Sequence, residues 1–178
     1  MAATLAQSLA AGDPDAFAAL YDRLAFRLLG AARTLTGSVA DAEDVVQDLF
    51  VELARGRARL AAVADLEAYV FTMLRNAIRR RGRRAAIDRR AVLAIAEAGQ
   101  AAGSFTESPP ELPDDELAAA VAALPEAQRE VVALKIDASL TFAEIAAVTG
   151  TSLNTAASRY RYALEKLRTA LADQEEDR

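Results

Sequence analysis

The chain has 178 residues, enough for two compact helical domains or one domain of ordinary size. It contains no Cys and no His, which excludes disulfides, thiol nucleophiles, imidazole bases and the soft ligands of structural zinc. The formal net charge is -5, which taken alone argues against a nucleic-acid-binding protein. The carboxylates form no calcium-binding loop and the Gly residues form no phosphate loop, so we predict no catalytic residue, no cofactor and no metal centre.

Residues 1–12 are weakly apolar and rich in alanine. They lack a basic start, a leucine-rich block and an apolar span of membrane length. We therefore expect a cytoplasmic protein that does not itself insert into a membrane.

Helix-forming residues dominate the chain, and no run of alternating β-branched residues is bounded by turns, so we predict an all-α fold. A first helical block runs from about Asp13 to Arg90, and a second from about Leu117 to Ala172. Between them, residues 99–113 contain Gly, Ser and Pro, which do not continue a helix. The sequence therefore predicts two helical domains joined by a flexible linker.

Three helices are predicted in the first block. Asp13 and Pro14 begin the first helix, which ends near Gly37. Ser38 caps the second helix, and the third begins at about Asp65. Helical spacing predicts these inward-facing residues: Phe17, Leu20, Tyr21, Leu24 and Leu28; Ala42, Val45, Val46, Leu49, Phe50 and Leu53; Leu66, Val70, Met73, Ala77 and Ile78.

The second predicted helix carries an acidic stripe, by which we mean Asp41, Asp44, Asp48 and Glu52. These residues recur at helical spacing on the side opposite the apolar residues. The stripe could bind a protein partner, but an ordinary solvated helix face would have the same pattern.

A basic cluster occupies residues 75–90, where eight Arg stand against one Asp. Such a surface binds phosphate by releasing counterions, although a solvated basic helix end is the alternative. Tyr69 could stack on an unpaired base, or it could belong to the core. The residues expected to face solvent on this helix are Thr72, Arg75, Asn76, Arg79 and Arg83.

The second block has the pattern of a helix-turn-helix. A short helix covers residues 142–149, Gly150 makes the turn, and a longer helix follows the cap Ser152. The predicted inner stripe of the longer helix is Leu153, Ala156, Tyr160, Ala163 and Leu167. Polar residues at its start suit a reader of the DNA major groove, whereas a solvated helical hairpin is the alternative.

Three stretches together resemble the extracytoplasmic-function (ECF) group of bacterial RNA polymerase sigma factors. DAEDVVQDLFVEL at 41–53 resembles the family's polymerase-docking helix, and AYVFTMLRNAIRR at 68–80 resembles the helix that engages the minus-10 element. LPEAQREVVAL at 124–134, with 140–146 and 158–168, resembles the minus-35 reader. The resemblance spans roughly residues 13 to 170.

Site residues follow from this resemblance position by position. The implied polymerase-binding residues are Asp41, Asp44, Gln47 and Asp48. The implied minus-10 residues are Tyr69, Thr72, Arg75, Asn76, Arg79, Arg80 and Arg83, and the minus-35 residues are Asn154, Thr155, Ser158, Arg159 and Arg161. The loop from Arg55 to Ala64 resembles the one that captures a flipped base, an event that needs no bond chemistry.

The resemblance also implies a division of the chain. We expect an N-terminal tail at 1–12, a sigma region 2 domain at 13–95, a flexible linker at 96–116, a sigma region 4 domain at 117–172 and an acidic tail at 173–178. The chain departs from the family at Tyr69, where Trp is usual, and at Ala157, where a basic residue is common. We expect these differences to alter promoter preference.

The resemblance implies a transcription initiation factor that binds core RNA polymerase, recognises minus-35 and minus-10 promoter DNA, and promotes strand opening without being an enzyme. An anti-sigma factor is an implied partner. Two alternatives are a sigma-like decoy that binds an anti-sigma factor, and a helix-turn-helix regulator that acts without polymerase.

Overall fold

The computed structural model describes residues 4–98 and 115–176, and every regular element within these ranges is helical. This confirms the all-α prediction. In chain order the elements are α1 Leu5–Ala11, α2 Pro14–Thr36, α3 Val39–Arg55, a 3-10 helix Arg57–Ala62, α4 Leu66–Ala98, α5 Asp115–Ala122, α6 Glu126–Ile136, α7 Phe142–Thr149 and α8 Leu153–Glu176.

Local signals set the helix boundaries much as the sequence predicts. The Asp13 side chain accepts a hydrogen bond from the Asp15 backbone N–H, and Pro14 opens α2. Gly37 ends α2 with a φ of 71°, a left-handed conformation that favours glycine. Ser38 caps α3 by accepting from the Asp41 backbone N–H at 3.2 Å.

Residues 5–11 form a helix where the sequence predicts an N-terminal tail. Thr4 and Gln7 make a reciprocal capping box at its start, and Gly12 ends it in the left-handed region. Leu9 is fully buried as α1 packs against the 3-10 helix and α2. The helix was missed because a single buried residue in seven gives no apolar periodicity. The T-x-x-Q capping pattern at residues 4–7 was the one signal in the sequence that could have indicated it.

The N-terminal half comprises α1 to α4, and the C-terminal half comprises α5 to α8. Leu20, Leu24 and Leu28 of α2 are fully buried in the N-terminal half, and so is Phe71 of α4. Phe71 and Leu74 are core residues that helical spacing missed, whereas Leu66, Met73, Ala77 and Ile78 are only partly buried. Tyr21 was predicted inward but is mostly exposed, with its ring 5.0 Å from that of Phe50.

The two halves share one apolar core. Helix α6 lies between α2 and α8, and α7 packs against α4. Four consecutive residues of α6, Val131 to Leu134, are buried, which requires neighbours on more than one side. Val132 joins a small cluster with α5 and α8, whereas Val131 and Leu134 join the core of the N-terminal half.

Some predicted boundaries differ from the observed ones. Helix α4 continues to Ala98, beyond the predicted domain end at 95, and α8 continues to Glu176, into the predicted acidic tail. The predicted linker lies largely outside the described residues, which resume at 115. Among the described helices, none combines the length and apolar character needed to cross a membrane.

Candidate nucleic-acid and polymerase interfaces

Helix α4 presents the residues predicted to contact the minus-10 element in unequal environments. Asn76 and Arg83 are exposed. Thr72 is partly buried, and its hydroxyl donates to the Ala68 carbonyl at 2.7 Å. Tyr69 is partly buried against the core, so its ring is not a free stacking platform in this arrangement.

Arg75 corrects the expectation that it faces solvent. Its side chain is only 17% exposed, because its guanidinium pairs with Glu130 of α6. Nε donates to one carboxylate oxygen at 2.5 Å and Nη2 to the other at 3.4 Å. Arg79, one turn further along, pairs with Glu126 at 2.9 Å, and both of these side chains keep substantial exposure.

The next two arginines of α4 pair within the N-terminal half. Arg81 contacts two carboxylates of the acidic stripe, Asp41 at 2.9 Å and Asp44 at 3.1 Å. Arg80 lies 3.5 Å from Glu52. The charge pattern suggested that the acidic and basic faces are separate. In the structure they meet along the α3–α4 contact.

The acidic stripe nevertheless remains accessible to a partner. Asp44, Gln47 and Asp48 are exposed along α3, and Asp41 is partly exposed. The side chains that pair with Arg80 and Arg81 all retain about half of their accessible surface. Such pairs are weak, so a protein with a basic surface could replace them at small cost.

The segment predicted to capture a flipped base is not an irregular loop throughout. Residues 57–62 form the 3-10 helix, and Leu60 within it is buried. Asp65 then caps α4 by accepting from the Ala68 backbone N–H at 2.9 Å.

The predicted helix-turn-helix is confirmed as a structure. Thr141 and Glu144 form a capping box at the start of α7, and Gly150 makes the turn with a φ of 68°. Hydrogen bonds from the side chain and backbone of Thr141 lower the pKa of Glu144. Ser152 accepts from the Thr155 backbone N–H at 3.0 Å and so caps α8.

The recognition face of α8 is partly open. Asn154 and Arg161 are exposed, while Thr155, Ser158 and Arg159 are partly exposed. The inner stripe holds at Ala156 and Ala163, which are fully buried, but Leu153 is half exposed. Leu153 is the first residue of α8 and lies beyond the part of the helix that packs against other helices. Apolar spacing predicts the buried face of a helix but not how far along its axis the packing extends.

Arg27 of α2 forms a contact between the halves that the sequence analysis missed. Its Nε donates to the Ala138 carbonyl at 2.7 Å, its Nη2 pairs with Glu67 at 2.5 Å, and its guanidinium lies over the Phe71 ring. Burial alone would raise the pKa of Glu67, but hydrogen bonds from Arg27 and Arg23 lower it below its ordinary value.

A second missed contact places Asp137, at the end of α6, against α2. The Thr34 hydroxyl donates to its carboxylate at 2.7 Å. A Cβ at Gly30 would lie 3.1 Å from the Asp137 Cβ, so the backbones approach closely here. Burial raises the pKa of Asp137, against opposing effects of the Thr34 hydrogen bond and the Arg33 charge. No periodic signal marks these residues, because each depends on both halves being packed together.

Comparison with known proteins assigns each half to a sequence family. The family Sigma-70 region 2 matches residues 20–87, and Sigma-70, region 4 matches residues 114–167. The ECF RNA polymerase sigma factor SigK of Mycobacterium ulcerans (strain Agy99) is 29% identical over 173 residues, which cover 94% of this chain and 91% of SigK.

Solved structures agree with this assignment. CnrH, determined in complex with the cytosolic domain of CnrY, has a TM-score of 0.69 and 29% identity, covering 95% of this chain and 96% of CnrH. The sigma factor RpoE from Bartonella quintana, determined in complex with the anti-sigma factor NepR, has a TM-score of 0.60 and 23% identity. The match covers 86% of this chain and 97% of RpoE, and it supports the fold. The chain therefore belongs to the sigma-70 family, in its extracytoplasmic-function group, whose members direct RNA polymerase to promoters.

Proposed function

We propose that this sigma factor docks on core RNA polymerase through the acidic stripe of α3 and contacts promoter DNA through α4 and α8. The observation that carries the proposal is the presence of both sigma regions in one chain, with the predicted polymerase, minus-10 and minus-35 residues each grouped on a single helix. Residues 99–114 connect the halves and let each raise the effective concentration of the other at its own promoter element.

The polymerase contact is assigned to Asp41, Asp44, Gln47 and Asp48. Their exposure on α3 supports this role, as does the weakness of the two pairs with Arg81. Docking replaces the Arg81 guanidinium by basic groups of the partner, so its net electrostatic gain depends on how many such groups meet the stripe.

The minus-10 contact is assigned to Tyr69, Thr72, Arg75, Asn76, Arg79, Arg80 and Arg83. Arginines on one helix can follow a nucleic-acid backbone, and an aromatic ring beside them can stack on an unpaired base. The segment 55–64 precedes this helix and would hold the flipped base. Capture of a base drives strand opening without bond chemistry, so we propose that the protein is not an enzyme.

The minus-35 contact is assigned to Asn154, Thr155, Ser158, Arg159 and Arg161. Asn and Arg can read base edges in the major groove, and the hydroxyls can hold phosphates. Exposure of Asn154 and Arg161 on the second helix of the helix-turn-helix supports the assignment. Ala157 removes one basic contact, which is expected to change the preferred promoter sequence.

We further propose that the protein acts in the cytoplasm, where it meets polymerase, and that an anti-sigma protein regulates it. The complexes of CnrH with CnrY and of RpoE with NepR support the second point. Such a partner would compete for the same surfaces that polymerase and DNA use.

The test is to supply the protein to bacterial core RNA polymerase with genomic DNA and to sequence the transcripts. We expect discrete start sites that share two upstream elements. The double variant Asp44→Lys/Asp48→Lys should abolish these starts, because it reverses the charge of the docking surface. The double variant Asp22→Lys/Glu165→Lys, at exposed acidic positions on α2 and α8, makes the same change in net charge and is the matched control, which should leave the start sites unchanged.

The two alternatives predict different results when transcription is measured together with binding. A decoy would bind an anti-sigma protein tightly and yield no start sites. A regulator that acts without polymerase would bind its operator equally well with and without core enzyme. Either result would contradict the proposed function.

A further inference from the structure

Helix α1 packs more extensively against the 3-10 helix of residues 57–62 than against any other element. Leu9 of α1 and Leu60 of the 3-10 helix are both fully buried in one apolar cluster. Leu60 is the one buried residue of the segment 55–64, so the position of that segment depends on this contact. Helix α1 itself precedes residues 20–87, which match Sigma-70 region 2.

Each of these two short helices depends on the other. A 3-10 helix has poorly aligned hydrogen bonds and rarely extends beyond about four residues. This one has six residues, and no described side chain caps its start by a hydrogen bond. An isolated helix of seven residues, the length of α1, is likewise too short to persist in water. Their packing therefore couples the two elements, and a change in α1 is transmitted to the 3-10 helix.

A second contact joins the end of α1 to Arg57, the first residue of the 3-10 helix. Gly12 ends α1 with a φ of 85°, and a Cβ built on it would lie only 2.8 Å from the Arg57 Nε. The Arg57 side chain thus passes over the Gly12 backbone at a distance that only glycine permits. Because Arg57 is otherwise exposed, this contact sets the direction in which its guanidinium is presented.

We propose that α1 is a positioning element for the base-capture segment, by which we mean residues 55–64. Leu9 fixes the backbone of the segment at Leu60, and Gly12 holds Arg57 where its guanidinium can donate to an edge of the captured base. The inference rests on the proposed function, because it takes this segment to hold the flipped base. It goes further in giving a role in minus-10 specificity to a helix that contains none of the residues assigned to DNA.

Positioning of this kind favours one base over the others. A segment that must be ordered at the moment of binding loses part of its interaction free energy, whereas a segment already held in place does not. Surfaces that can repack accept several partners, and fixed hydrogen-bond donors accept fewer. Displacement of Arg57 should therefore relax or shift the base preference at the minus-10 element.

The test compares two glycines that end helices in the left-handed conformation. Gly12→Ala adds a Cβ that must displace Arg57, whereas a Cβ at Gly37 would have nothing within 4 Å. Both substitutions place alanine at a positive φ, so Gly37→Ala is the matched control for backbone strain. Near-ultraviolet circular dichroism verifies that each variant is folded.

Each protein is supplied to core polymerase with two pools of a promoter found in the start-site experiment. One pool is randomised in the minus-10 element and the other in the minus-35 element. Every template carries a barcode in its transcribed region, so sequencing the transcripts gives the preference for each base at each position.

We expect Gly12→Ala to change the relative use of bases at one or more minus-10 positions by at least about 3-fold. Gly37→Ala should keep the wild-type preference. Both variants should also keep the minus-35 preference, because the residues assigned to that element lie on α8 of the other half. Loss of transcription from both pools without a change in either preference would indicate a merely destabilised protein and would overturn the inference.

A double variant shows whether Gly12 acts through Arg57. Arg57→Ala should alter the same minus-10 positions as Gly12→Ala. The variant Gly12→Ala/Arg57→Ala should show no further change, because the side chain that the new Cβ displaces is gone. Additive effects of the two substitutions would overturn the assignment of Arg57 as the residue that α1 positions.

The wild-type result separates the inference from the function on which it rests. An unchanged minus-10 preference in folded Gly12→Ala would overturn the inference and leave the proposed function intact. A wild-type protein that selects no sequence from the minus-10 pool would contradict the proposed function itself.

Discussion

Among the side chains that the structure describes, four arginines of helix α4 form ion pairs, and they fall into two groups that pair with different parts of the molecule. Arg75 and Arg79 pair with α6 of the C-terminal half, whereas Arg80 and Arg81 pair with α3 of their own half. Pairs within one half persist however the halves move. Pairs between halves can be broken by a rigid-body separation, so only they can couple domain arrangement to DNA binding.

Burial separates the Arg75–Glu130 pair from the pairs of the other three arginines, including Arg79–Glu126, the second pair between the halves. Arg75 and Glu130 are largely buried, whereas the pairs of Arg80 and Arg81 remain about half exposed. Buried pairs are costly to break singly, and exposed pairs are worth little. The following predictions test the difference between the buried pair and the exposed pairs, beginning with the largest effect.

Glu130→Ala should destabilise the protein by about 3 kcal/mol, because Arg75 would be left buried without a partner. The free energy of unfolding from urea titration measures this. Glu126→Ala, which breaks the exposed pair on the same side of α4, should cost under about 1 kcal/mol. Equal costs would show that the Arg75 pair is not buried in solution and would remove the distinction.

Arg81→Ala should change the free energy of unfolding by less than about 1 kcal/mol, although it breaks two ion pairs. It should raise the affinity for core polymerase, because Asp41 and Asp44 would no longer exchange one cation for another on docking. Titration of labelled core enzyme measures the affinity. A fall in affinity would mean that Arg81 positions the acidic stripe and does not compete for it.

Asp137→Asn should have the smallest effect and one that depends on pH. Burial raises the pKa of Asp137, against the Thr34 hydrogen bond and the Arg33 charge, so the packed state holds the proton more tightly than the unfolded chain does. Its contribution to stability is present below the ordinary pKa and is lost as pH rises through the raised one. The side-chain amide in Asp137→Asn still accepts a hydrogen bond from Thr34. Because it does not ionise, the variant does not lose stability as pH rises.

The variant should therefore be more stable than wild type near neutral pH and lose this advantage in acid. Urea midpoints measured across this pH range test the prediction. The control is Asp22→Asn, at an exposed position of α2 that takes no part in the Asp137 contact, and it should have the stability of wild type at every pH. A constant difference at every pH would contradict the assignment to Asp137 titration.

Much of the fold could be predicted because its signals are local. The helix-turn-helix follows from the Thr141 and Glu144 capping box and from Gly150, and α3 begins where Ser38 caps it. Caps and apolar spacing act within a few residues, so a single sequence reveals them. The candidate DNA-binding and polymerase-binding residues were assigned through resemblance to a family and remain predictions.

The contact between the halves could not be predicted from periodicity. Glu130 directly precedes the apolar run Val131 to Leu134 of α6, and a carboxylate at this position would ordinarily be expected to face solvent. It is buried because Arg75, 55 residues earlier in the chain, faces it across the junction. Phe71 and Leu74 were missed for a related reason, since α4 packs against α7 as well as against α2 and α3.

The most direct measurement is transcription from genomic DNA by core polymerase, supplied with the wild-type protein or with the Asp44→Lys/Asp48→Lys variant. The account predicts discrete start sites with the wild type and their loss with the folded variant. A wild-type protein that yields no discrete start sites, or a variant that retains all of them, would contradict the account.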